Sequence, residues 1–105
     1  MKDRIASKNK SLKAAIERYN TCKRFVDNYN KTKSLDEYIT HLSLTTANLS
    51  AESHERYESM IRSHELGNDE PILSHMYERL LAADEYKRKV ADELKSLLRE
   101  LWKFA

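Results

Sequence analysis

The sequence predicts an all-α protein, and three observations carry that prediction. The chain of 105 residues holds one glycine and one proline, which leaves almost no turn punctuation for a sheet. Its last third carries an apolar seam at alternating steps of three and four, through Leu73, Met76, Leu80, Ala83, Val90, Leu94, Leu97, Leu101 and Phe104. A stripe of that period cannot stay in water and demands another helix. Charged residues make up 34% and apolar residues 40%, the balance of a chain with long solvated helix faces. The expected architecture is three long antiparallel helices in an up-down-up bundle with coiled-coil-like seams, one domain over residues 1–105.

The first helix is expected over about residues 3–30. Ile5, Leu12, Tyr19 and Val26 sit seven apart, with Ala15, Cys22 and Tyr29 at the intermediate positions of the same heptad. Lys10, Lys13, Glu17, Arg24 and Lys31 fall on the opposite face, so the helix is amphipathic. Ser34 followed by Glu37 has capping-box spacing and predicts a second helix from Leu35 to about Glu65. Its apolar positions include Leu35, Tyr38, Leu42, Leu49, Tyr57 and Ile61. Residues 45–50 are its weak point, because Thr, Asn and Ser each cost a few tenths of a kcal/mol relative to Ala. The seam keeps its phase across that stretch, so the segment is read as one continuous helix. A kink or break near residues 45–50, with Ser50 capping a fresh helix, is the alternative.

Gly67 suits the left-handed position after a helix end, Asn68 or Asp69 can cap the next helix, and Pro71 fits its first turn. The third helix is expected over about residues 71–104. Tyr77, Leu81, Ala91, Leu98 and Trp102 flank its seam, which makes the stripe wide enough for two neighbours. Up-down-up topology would gather Phe25, Tyr29, Tyr38, Trp102 and Phe104 at one end. At the other end it would bring Ile5 towards Ile61, Leu66, Ile72 and Met76. Lys87 interrupts the seam, either as a buried register-fixing residue or with its stem on the core and its ammonium in water.

Function is less legible than architecture. No Gly-rich phosphate loop, His-Glu-x-x-His or Glu-x-x-His motif occurs. Cys22 lies on the first seam, where a cysteine acts as a small apolar residue. The reading is therefore no enzyme, no catalytic residue, no metal and no cofactor. No apolar run is long enough to cross a bilayer, the charged start lacks a signal-type apolar stretch, and one cysteine fits a reducing compartment. A cytoplasmic protein with no membrane partner is expected.

The function expected is a non-enzymatic protein–protein interaction module, a scaffold, adaptor or small chaperone acting through apolar helix faces. Its partner is another protein or itself, with a homodimer expected. Trp102, Phe104 and Leu98 are the candidate partner contacts: aromatics at a helix end either complete the chain's own core, which is the favoured reading, or protrude and anchor another chain. The second reading follows from charge. Residues 1–33 hold ten Lys/Arg against three Asp/Glu, while the rest of the chain is net acidic and the whole carries only +2. Lys10, Lys13, Lys23, Arg24 and Lys31 are thus candidate nucleic-acid contacts, set against the alternative that the basic start pairs with acidic groups such as Glu65, Asp69 and Glu70.

Overall fold

A computed structural model describes residues 2–45 and 50–103. The described residues form four helices and no strand: α1 Lys2–Thr32, α2 Asp36–Thr45, α3 Ala51–Glu65 and α4 Glu70–Lys103. The all-α class holds and the count of three does not. The expected continuous second helix is two helices. Ser50 has the extended backbone of an N-cap (φ −63°, ψ 160°), and its side chain accepts from the backbone N–H of Ser53. An extended residue cannot sit inside a helix, so α3 starts afresh after it. The seam residues Thr46 and Leu49 lie outside the described residues.

Each remaining boundary has a local cause. Lys33 takes a left-handed conformation (φ 60°) that stops α1 without a glycine, and its N–H returns to the Tyr29 carbonyl at 2.7 Å. Ser34 does act at the start of α2, where its Oγ accepts from the Asp36 N–H at 3.3 Å. Glu37 does not close the expected capping box but faces Arg24, Nε to Oε1 at 3.4 Å. Gly67 (φ 90°) ends α3 in a Schellman motif: its N–H bonds to the His64 carbonyl, and the Asn68 N–H bonds to the Ser63 carbonyl. Asn68 Oδ1 then accepts from the Glu70 N–H, with Pro71 in the first turn of α4 as expected.

The chain divides into two compact units. The first comprises residues 1–23 and 80–105, the start of α1 and the end of α4. Here the two helices run antiparallel: Lys8 pairs with Glu93, and Lys87 lies over the Tyr19 ring. Ala15, Cys22, Ala83, Val90 and Leu97 are buried between them. Ile5 therefore belongs with the end of α4 in this unit, while Ile61, Leu66, Ile72 and Met76 belong to the second.

The second unit, residues 24–79, contains the end of α1, all of α2 and α3, and the start of α4. Its core is richer: Phe25, Val26, Leu35, Tyr38, Leu42, Met60, Ile72 and Met76 are buried. The Phe25 and Tyr38 rings meet edge-on at 5.3 Å, so that half of the expected aromatic cluster forms. Trp102 belongs to the first unit, where it is 81% exposed. An up-down-up bundle would run the last helix parallel to the first; within the first unit α4 instead runs antiparallel to α1.

Candidate interaction surface

In the first unit the two helices expose unlike faces. At about 100° per residue, the line from each helix axis to its neighbour runs through Ala15 and Cys22 on α1 and through Val90 and Leu97 on α4. To one side of that line lie Arg4, Ser7, Glu93, Ser96 and Glu100, and Lys8 reaches over to bond Glu93. That hydrogen bond holds the Glu93 carboxyl below its ordinary pKa. This side is polar and shallow, with Arg4, Lys8, Glu93, Ser96, Leu97 and Glu100 lining a small surface depression.

The other side is apolar on both helices. Because the helices are antiparallel, residues displaced in the same rotational sense fall on the same face of the pair. Ile5, Leu12 and Ile16 of α1 therefore stand beside Leu94, Leu98 and Leu101 of α4. Ile5, Leu12 and Leu94 are half-buried, while Ile16, Leu98 and Leu101 are about two-fifths exposed. Trp102 at 81% and Leu81 at 63% stand at the outer edge of the same face. A two-helix layer has no third element to cover such a side.

Lys87 lies within this face. Its ammonium sits 3.7 Å from the centroid of the Tyr19 ring and 3.5 Å from Asp84 Oδ1, and its side chain is 28% exposed. It is neither a fully buried register residue nor a free snorkelling one; the ring quadrupole and the carboxylate hold it. Asp84 also receives Arg88 at 3.1 Å.

The sequence candidates distribute as follows. Leu98 and Trp102 are on the apolar face, and Phe104 lies outside the described residues. Lys10, Lys13, Lys23, Arg24 and Lys31 are all exposed along α1. The structure divides them: Lys10, Lys13 and Lys23 belong to the first unit, Arg24 and Lys31 to the second. Arg24 is engaged by Glu37 and lies 5.4 Å from the Phe25 ring centroid. Within the first unit Lys8 of the basic start pairs with Glu93, and within the second Asp69 pairs with His64. Sequence reasoning missed Ile5, Leu12 and Ile16 as parts of one surface with Leu98. Their heptad spacing was visible, but the shared face follows only from the antiparallel pairing.

In the second unit the chemistry is internal. His75 is buried, its Nδ1 lies 2.7 Å from the Tyr38 hydroxyl, and the Tyr57 ring meets it edge-on at 5.0 Å. Burial, then the Arg79 and Arg56 guanidinium groups, push its pKa down to about 4. The ring is therefore neutral at pH 7, and Nδ1 accepts from the tyrosine when the proton is on Nε2. Burial and the charges of Arg79 and Arg24 also lower His41, which stacks at 4.8 Å on Phe25. Such histidines are core residues. Cys22 is buried. Among the described residues no group of three or more His, Cys, Asp or Glu converges as a metal site, and no helix is long and apolar enough to cross a membrane.

No family model, curated protein or solved structure matches this chain.

Proposed function

We propose that the protein is a non-enzymatic interaction module, of the scaffold, adaptor or small-chaperone kind, that binds another protein through the apolar face of the α1–α4 pair. One observation supports this above the rest. Ile16, Leu98, Leu101 and Trp102 expose 39–81% of their surface on a face whose centre is also apolar. Exposed apolar patches on small proteins mark association sites, and Trp is the residue most enriched at their energetic centres. The groove between two helices takes the ridge of a third, so helix-in-groove docking is the matching mode.

A nucleic-acid role has weaker support. Its candidate side chains fall in two units, and Arg24 is already paired. A cytoplasmic location is retained with the interaction reading.

The test is site-specific photo-crosslinking. A benzophenone side chain at Leu98 in the full chain should give discrete higher-mass adducts in the source cells. The same group at Ser96, on the polar face, should not. Equal labelling from both positions, or none from Leu98, would refute the assignment of the face.

A further inference from the structure

The rim of the apolar face identifies the kind of helix it takes. Lys2, Lys13 and Lys23 border it on α1, and Arg88, Lys95 and Arg99 border it on α4; all six are exposed. Asp84 is in the same row, but Lys87 and Arg88 already neutralise it. Glu17 lies about 40° beyond Lys13 and Asp92 about 20° beyond Arg99 round their helices, further from the face. Among the described residues, none of Lys2, Lys13, Lys23, Lys95 and Arg99 forms an ion pair. The unit as a whole holds thirteen Lys/Arg and seven Asp/Glu, whereas the other unit holds six and ten. The positive charge of the chain is thus concentrated in the unit that carries the exposed apolar side chains.

We infer that this face binds an acidic amphipathic helix of a partner protein, its apolar ridge lying between α1 and α4 and its carboxylates meeting the lysine and arginine rims. The inference rests on the interaction reading above and names the partner's chemistry. Charge decides against the expected homodimer: a second copy docking through the same face would place two basic rims against each other, which costs association energy and slows encounter. Shape decides against a lipid surface. Ile5, Leu12, Tyr19 and Leu94 are half-buried in the trough between the helices, where a helix ridge reaches them and a flat interface does not.

The chain reports on the question itself, because Trp102 is its one tryptophan and stands at the edge of the face. Two synthetic helical peptides with identical leucine seams, one flanked by Glu and one by Lys, are titrated against the full chain at low and high salt. Peptide anisotropy and Trp102 emission are read together. The acidic peptide should bind about tenfold or more tightly than the basic one at low salt, with a blue shift of Trp102, and the advantage should shrink as salt rises. A triple variant, Lys13→Glu, Lys95→Glu and Arg99→Glu, should reverse the preference while its helical circular dichroism stays that of the parent.

Equal binding of both peptides, abolished by Leu98→Asp, would overturn the acidic assignment and leave the interaction face standing. Failure of both peptides to bind would overturn the inference and the interaction reading together. Binding to phosphatidylserine vesicles without binding the acidic peptide would replace the helix by an anionic lipid surface. A chain that doubles in mass and is not dissociated by the acidic peptide would replace it by a second copy.

Discussion

Lowering the pH should destabilise the protein through His75, and the size of the effect follows from its surroundings. The ring is 7% exposed, faces the Tyr38 hydroxyl and the Tyr57 ring, and lies in the field of Arg79 and Arg56. Protonation would put a third donor-only cation beside two guanidinium groups and remove the acceptor that Tyr38 uses. The folded value of about 4 lies below the ordinary 6.5, so the unfolded chain binds the proton first. The stability tied to neutral His75 is present above pH 6.5 and is lost as pH falls towards 4. Linkage gives a loss of about 2 kcal/mol between pH 7.5 and pH 5, and about 3 kcal/mol by pH 4. The assay is urea unfolding by far-ultraviolet circular dichroism on the parent and on His75→Asn, whose amide can still meet the Tyr38 hydroxyl. The variant should start less stable, and the gap should close by about 2 kcal/mol at pH 5. The other titratable groups are common to both proteins, so the difference between the two curves reports on His75. Parallel curves from pH 7.5 to 5 would show that His75 is not held neutral, and the description of that core would fail.

Other substitutions probe separate joints. Ser50→Ala removes the cap of α3 and should cost about 1 kcal/mol in urea unfolding; no change would mean that the chain does not break there. Gly67→Ala meets no atom within 4 Å of the added Cβ but must hold φ at 90°, so a loss of about 1 kcal/mol is expected from backbone strain alone. Lys87→Leu gains apolar burial but loses the Tyr19 ring contact, so its stability should change by less than about 1 kcal/mol. A double-mutant cycle with Tyr19→Leu should return a coupling of about 0.5–1 kcal/mol; zero coupling would remove the cation–π contact. Trp102→Ala should leave the unfolding midpoint nearly unchanged, since the side chain is 81% exposed, while weakening partner binding.

The sequence made local structure legible and tertiary partnership much less so. The Gly67 stop, the Pro71 start and the face of α4 that turns inward were all readable, because each rests on a short-range constraint. Val90 and Leu97 are buried as their period requires. The partner of that face was not readable, since a heptad seam specifies that a helix packs and not against which neighbour. Ser50 held the missing information. Its capping role was visible as an alternative, but the unbroken phase of the seam outweighed it, so one helix was expected where the chain forms two. The width of the α4 stripe carried a second ambiguity. Leu81, Leu98 and Trp102 widen it as a second intramolecular neighbour would, yet in the first unit α1 covers only its inner edge.

The central claim is that this face is uncovered in the free protein, and the emission of Trp102 tests it most directly. In the dilute full chain the account predicts the emission of a water-exposed indole, quenched by acrylamide nearly as readily as a free tryptophan. A blue-shifted, quencher-protected Trp102 at the lowest measurable concentration would show that the chain already covers the face itself, and would contradict the account.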